Sequence, residues 1–282
     1  MKINSLLGAL SVILVIVSCG EREKTFTKIE FETDFRTAGM KAAESDKPMI
    51  IDFYTDWGEW CDSLDANTYV DPLVMGMSAD NIFVKINAEV DTNLARDFGI
   101  SGYPTIVITK SNGEEIDRIW GYLPPTDFYN QVQLYLQGKE TLIDYLSRLD
   151  DDPDNQEYIS IVAEKYTSRR EFEKALDYYG RVLKLDPDNE NGQKIEALGS
   201  MYDVKGRAKD YDGAIETAES LVQQFPDTEQ ADDARAIIGY YTNKKGDSNE
   251  AMKLYRAYLE SYPDGENASW VKKRVADLED KK

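Results

Sequence analysis

The sequence contains no histidine, and that single absence removes several classes of chemistry. A Ser-His-Asp triad, a Cys-His pair, an imidazole zinc site and a haem held by an axial histidine all need the ring that is missing. Cysteine is nearly absent as well: two in 282 residues, Cys19 and Cys61, enough for at most one disulfide. Basic residues are in deficit, with 33 Lys and Arg against 53 Asp and Glu and a formal charge of −20. Such a chain is poorly matched to nucleic acid, where Lys and Arg must replace counterions. Long apolar runs are also lacking. The longest, Leu6 to Val17, is 12 residues broken by Gly8 and Ser11, whereas a ~30 Å hydrocarbon core needs about 20 residues. What is present is ordinary for a folded protein, 41% hydrophobic and 11% aromatic residues, and the length predicts two domains.

The apolar run follows the lone cation Lys2 and ends Ile16-Val17-Ser18-Cys19-Gly20. A positive start and a short apolar stretch suit a signal peptide over residues 1–18. The ending resembles the bacterial lipobox, in which cleavage precedes the cysteine and the thiol takes a lipid. The other reading is a secretory signal with an incidental cysteine. The lipobox resemblance implies lipidation at Cys19, a tether over 19–25, and membrane attachment by acyl chains and not by a spanning helix. It also implies a mature charge of 32 − 53 = −21, because Lys2 is the one charge in residues 1–18. Cys19-Gly20-Glu21 has no Asp after the cysteine, which points to a bacterial outer membrane with the protein facing the periplasm. Cys61 then remains as the single thiol.

Residues 26–138 alternate between strand and helix patterns. Pro48 precedes the apolar run Met49 to Tyr54, interrupted by Asp52, as expected of a strand buried on both faces. Ile82–Ile86 and Thr105–Thr109 read as further strands, and Asn112-Gly113 as a hairpin turn into Glu115–Trp120. Helical patterns fall at Asp34–Ser45, Glu59–Val70, Thr92–Phe98 and Pro125–Leu136. The pattern predicts an α/β domain with some parallel pairing.

Within it, Asp52-Phe53-Tyr54-Thr55-Asp56-Trp57-Gly58-Glu59-Trp60-Cys61 resembles the active-site segment of thioredoxins, and Gly102-Tyr103-Pro104-Thr105 resembles their cis-proline loop. The stretch from Cys61 to Asp71-Pro72 is most similar to the thioredoxin-like domains of envelope disulfide reductases. The family works through Trp-Cys-x-x-Cys, one thiol attacking a disulfide and the other resolving it. Here Gly58 stands at the first position and Cys61 at the second. A rival register starting the motif at Trp60-Cys61 needs an insertion and places Leu64 at the second cysteine. Neither register leaves two sulfurs for a dithiol cycle.

Cys61 acting alone needs thiolate. Asp56, Glu59, Asp62 and Asp65 lie close in sequence, and no Lys or Arg occurs between Lys47 and Lys85, so the local charge disfavours that form. Asp52 matches the family's buried carboxylate: it is a proton acceptor in the functional reading and an inherited structural carboxylate in the plain one. Pro104 offers either a simple turn or an exposed backbone for an extended peptide. Trp57, Gly58, Trp60, Tyr103 and Pro104 together form a candidate peptide surface, with core packing an equal expectation for Trp57 and exposure for Trp60.

Residues 139–154 read as a linker: a short helix from Lys139 to Arg148, then the acidic run Asp150-Asp151-Asp152-Pro153-Asp154. That run lacks the glycine and distal Glu of an EF-hand loop, so no metal site is expected. From 155 to 282 the sequence repeats. Ala175, Ala214 and Ala251 open helices that end at Pro187, Pro226 and Pro263, each followed by Asp. This resembles the tetratricopeptide repeat. Long spacings suggest extended turns such as Lys205–Asp210, and Ala268–Leu278 a solvated cap. The first helices of each pair would line a concave groove with Glu157, Glu164, Glu196, Asp203, Asp233, Tyr240 and Asn243, suited to a basic or neutral-aromatic partner.

The expected fold class is therefore an α/β thioredoxin-like domain followed by an all-α array of tetratricopeptide type. The expected role is a lipid-anchored envelope protein that binds extracytoplasmic proteins or peptides, with no cofactor and no nucleic acid. The alternative is a thiol–disulfide oxidoreductase working through Cys61.

Overall fold

The computed structural model describes residues 28–280. The leader, Cys19 and the tether lie outside those residues. The first domain runs α1 (Phe35–Ser45), β1 (Met49–Tyr54), α2 (Glu59–Ser63), α3 (Pro72–Gly76), β2 (Ile82–Asn87), α4 (Thr92–Asp97), β3 (Thr105–Thr109), β4 (Glu115–Trp120) and α5 (Pro125–Leu136). The sheet order is β2-β1-β3-β4. β1 pairs parallel with β2, while β3 is antiparallel to both β1 and β4. The strand alternation splits the core in two. Ile50 faces Leu64, Tyr69, Val74 and Phe128, whereas Met49, Ile51 and Phe53 face Ala38, Ala42 and Ala95. Asp52 shares the parity of Ile50 and so enters the first of these layers.

The helix expected over Glu59–Val70 is broken. α2 ends at Ser63, and Tyr69 N–H then bonds the Leu64 carbonyl at 2.9 Å, an i→i+5 step that makes Leu64–Thr68 a π-helical turn. Its effect is to bring both Leu64 and Tyr69 into the core. Asp71 then caps α3 by accepting from Leu73 N–H at 2.8 Å, with Pro72 at the position that needs no donor. Sequence patterning did not anticipate α3.

Within 139–154 the helix is α6 (Leu142–Asp151), later than the expected Lys139–Arg148. Thr141 caps it, accepting from Asp144 N–H at 3.1 Å. Leu149 is buried with the repeat core and Tyr145 packs beside it, so the segment is packed up to the exposed acidic run at its end. The array follows as α7 (Gln156–Ser168), α8 (Phe172–Leu185), α9 (Gln193–Arg207), α10 (Tyr211–Gln224), α11 (Glu229–Lys244), α12 (Ser248–Ser261) and α13 (Ala268–Glu279). Ala175, Ala214 and Ala251 are fully buried where paired helices meet. The helices stop at Asp186, Phe225 and Tyr262, each with φ between −133 and −126, because the following proline disfavours the helical region.

The expected extended turn at Lys205–Asp210 is not there. Lys205 and Arg207 belong to α9, and the turns within the hairpins, 169–171, 208–210 and 245–247, are equally short. The extra residues lie in the long first helices, 15 in α9 and 16 in α11, and in the 186–192 connection. That connection is ordered by Asp186, 2% exposed, which accepts from Gln193 N–H at 3.0 Å at the start of α9.

The domains are joined through a buried carboxylate. Asp117 on β4 has no exposed surface. Its Oδ2 accepts from Leu142 N–H at 2.7 Å and from Lys165 Nζ at 2.9 Å. Its Oδ1 accepts from Arg118 N–H and from Arg169 Nη2, both at 2.8 Å. Arg118 in turn donates to the Ser168 carbonyl at 3.0 Å and pairs with Glu115. A buried charge is tolerable when its oxygens are met this fully. Here the donors come from α6 and α7 as well as from β4, so the second domain completes the shell of a residue in the first.

Candidate functional site

β1 delivers its C-terminal end to a loop, Thr55-Asp56-Trp57, from which α2 starts. Gly58 is the N-cap residue, at φ −82 and ψ 101, and its carbonyl accepts from Cys61 N–H at 2.8 Å and Asp62 N–H at 3.0 Å. Cys61 is thus within the first turn of α2, and it is 2% exposed. A Cβ built on Gly58 would lie 2.7 Å from Cys61 Sγ, so residues 58 and 61 face each other directly. Across from them runs the loop before β3, with the Tyr103–Pro104 peptide in the cis form.

Aromatic side chains rim this face. Trp57 is 67% exposed, against the expectation of possible core burial: its loop projects beyond the sheet, where its Nε1 donates to Glu89 at 3.0 Å and its ring meets Tyr103 edge-on at 6.1 Å. Trp60 is exposed too, stacked on Tyr122 at 5.7 Å.

Beneath the rim the charges are unusual. Asp52 is 1% exposed and neither of its oxygens has a hydrogen-bond partner. Burial raises its pKa to about 7, against a partial opposing pull from Lys85. The hydroxyl of Tyr69 is near enough to be perturbed by Asp52 but lies outside hydrogen-bonding geometry, and is itself unpartnered. The Cys61 thiol is pushed up by burial first, with Asp52 adding to the effect and the Thr55 backbone opposing it. Lys85 cannot offset this. It pairs with Asp65 and its ammonium lies 4.8 Å over the Tyr54 ring. The arrangement holds a neutral, covered thiol beside a carboxyl that titrates near neutrality. Cys61 is the one free thiol among the described residues, and among them no cluster of three or more His, Cys, Asp or Glu is placed to hold a metal ion.

The groove residues of the array fall into separate settings. Glu164 and Asp203 line a cleft against β4, and Asp203 and Asp233 line the next hollow. Glu196 accepts from Gln230 at 2.9 Å across α9 and α11. Tyr240 packs on Tyr241 and Trp270. Asn243 accepts from Ser248 at 2.8 Å at the far end of its hairpin, and Glu157 is an exposed residue of the first turn of α7. Glu157, Tyr240 and Asn243 do not line the two acidic hollows.

Residues 35–135 match the thioredoxin-like domain family. The first domain is thioredoxin-like. Residues 203–228 and 238–265 match the tetratricopeptide repeat, so a thioredoxin-like α/β domain is followed by helical repeats, as the sequence predicts. Thioredoxin M4 (chloroplastic) of Arabidopsis thaliana is 27% identical over 43% of this chain and 61% of its own length. The thiol:disulfide interchange protein DsbD of Photorhabdus laumondii is 30% identical over 32% of this chain and 16% of its own. The chain thus spans less than two thirds of either relative. Among solved structures, thioredoxin NaTrxh from Nicotiana alata aligns at 21% identity and TM-score 0.31, over 39% of this chain and 93% of that one.

Sequence reasoning missed three parts of the thioredoxin-like domain's surroundings. Lys85 is opposite Asp52 in the β1–β2 register, a pairing visible only once the parallel alignment is known. Tyr69 reaches the site because of the π turn. Trp120 is 58% exposed at the end of β4; the signal available in the sequence is a large apolar side chain closing an edge strand.

Proposed function

We propose that this protein is a polypeptide-binding scaffold of the bacterial envelope, in which the thioredoxin-like domain has lost dithiol chemistry and serves recognition. The observation that carries the reading is the covered, neutral thiol of Cys61 facing Gly58 where a second sulfur would be needed. Two-electron disulfide exchange requires a partner sulfur to resolve the mixed disulfide. Gly58 then stands where the family's attacking cysteine would be, and Cys61 is the resolving thiol left behind. Tetratricopeptide repeats support a role in protein association. The exposed Trp57 and Trp60, which rim the same face, support peptide contact there.

The decisive assay is catalysis of insulin reduction by dithiothreitol. The unmodified protein is expected to match the uncatalysed background, and turnover above it would establish the enzymatic alternative instead.

Attachment through lipid on Cys19 belongs to the same proposal. It is supported by the lipobox-like ending of the apolar run, and no helix among the described residues is long and apolar enough to cross a membrane. Cys19→Ser is expected to move the protein from the membrane fraction to the soluble one, as more than one acyl chain is needed for stable anchoring. Unchanged fractionation would remove the anchor from the proposal.

A further inference from the structure

Between the edge strand β4 and the inner faces of α7 and α9 is a cleft of about 440 Å³, lined by Trp120, Glu164, Tyr179, Asp203 and Arg207 among others. Asp203 also lines the neighbouring hollow, which continues to Asp233 and Trp270. The two meet at Asp203 and are taken together as one trough, with Trp120 in the lining of the first and Trp270 in that of the second. At the first end the Trp120 indole lies directly on the backbone of Gly102, where a Cβ would meet its Nε1 at 2.5 Å. The trough therefore begins beside the Tyr103–Pro104 loop and runs onto the repeats. Neither domain forms it alone.

Its charge is specific. Arg118 and Lys165 are held, together with Arg169, by Glu115 and Asp117. The charges that remain facing the trough are Glu164, Asp203 and Asp233 against Arg207. Asp233 is engaged only by a neutral donor, Asn267 Nδ2 at 2.7 Å. Arg207 bridges Asp203 at 2.9 Å, and its guanidinium lies 5.1 Å over the Trp120 ring. That pair is a template within the fold: a guanidinium held between an indole face and a carboxylate.

We propose that this trough is a composite site for an extended polypeptide segment bearing Lys or Arg, which takes the place of Arg207 over Trp120 and beside Asp203 and has Glu164 and Asp233 as further counter-charges. The proposal rests on the scaffold reading and names the chemistry of the partner. A cation over an exposed indole is attracted by the ring quadrupole, and an acidic concave surface concentrates cationic segments. Burial in the cleft raises the Glu164 carboxyl, the response of an acid that an arriving cation would relieve.

The test uses the full chain in detergent and two labelled 12-residue probe peptides, one with Lys and Arg among Ala and Ser, the other with Glu in their place, followed by fluorescence anisotropy. The basic probe is expected to bind roughly tenfold more tightly, with the preference falling as salt rises. Trp120→Ala and Glu164→Gln should each weaken it by roughly three- to tenfold, in line with the loss of one cation–π contact or one partly desolvated charge pair. Glu164→Lys should abolish the preference. Met40→Ala, an exposed residue of α1, is the control and should change nothing. Equal binding of both probes, or binding indifferent to Trp120 and Glu164, overturns the proposal; so does binding abolished by Trp57→Ala but unaffected by Trp120→Ala, which would place the segment on the Trp57–Trp60 rim. Insulin turnover by the unmodified protein would sink the scaffold reading without altering this titration. A charge-blind titration would sink the trough and leave the insulin result standing.

Discussion

Gly58→Cys is expected to give this protein disulfide-reductase activity. The backbone at 58, φ −82 and ψ 101, suits any residue. A Cβ there sits 2.7 Å from Cys61 Sγ, close to the ~3 Å that separates a Cβ from the far sulfur in a disulfide, given its bond lengths. The new thiol would occupy the N-cap of α2, where the free N–H groups favour thiolate. It would attack a substrate disulfide and release one substrate thiolate. Cys61, losing its proton to Asp52 behind it, would then displace the second substrate thiolate and leave an intramolecular disulfide for dithiothreitol to reduce. Atoms and electrons close with two sulfurs and fail with one. The insulin assay should rise by roughly tenfold or more over the parent. Asp56, Glu59 and Asp62 temper the gain by opposing the thiolate. A second readout does not depend on turnover: under oxidising conditions, positions 58 and 61 should resist alkylation together. Two alkylatable thiols with no gain in rate would show that Gly58 is not the attacking position.

Asp52→Asn should stabilise the protein, and only above acid pH. The folded pKa is about 7, while the unfolded carboxyl titrates near ~3.9. The folded state therefore holds the proton more tightly. Its disadvantage in ionising is absent below pH ~4, grows as pH rises between the two values, and is complete above pH ~7. Three units correspond to about 4 kcal/mol, and relaxation around the charge reduces this, so roughly 2–4 kcal/mol should be gained at pH 8 and little at pH 4. Chemical denaturation of parent and variant at the two pH values reads the difference. Asp52→Ala, which trades the charge for a small cavity, should show the same pH slope from a lower starting point. Equal gains at both pH values, or a loss at pH 8 in both variants, would mean that Asp52 is solvated or paired in the folded protein.

Much of the architecture was legible where the chain punctuates itself. β1, β3, β4 and α5 lie where Pro48, Asn112-Gly113 and Pro125 delimit them, since proline and Asn-Gly constrain the backbone without help from tertiary contacts. The array was legible because its prolines recur. The parts that resisted were set by distant residues. The π turn at Leu64–Thr68 follows from burying Leu64 and Tyr69 in the same layer, which no local propensity encodes. Lys85 is far from Cys61 in sequence, so counting nearby charges gave the correct acidic bias but not the cation over the Tyr54 ring. Trp57 read as readily for the core as for solvent because hydrophobicity alone does not reveal which way a loop points. The groove assignment took every inner acid as equivalent. Position along the helices then separated them: Glu157 stands about two turns before Glu164 at the start of α7, and Asn243 lies in the last turn of α11.

Asp117 also bears on how this chain can be divided. Its four donors come from Leu142, Lys165, Arg169 and its own neighbour Arg118. A fragment ending near residue 138 would keep the carboxylate inside the sheet and discard most of what neutralises it. The thioredoxin-like half is therefore not a portable cassette. Its sequence boundary and its electrostatic boundary fall in different places, and the second lies inside the repeats.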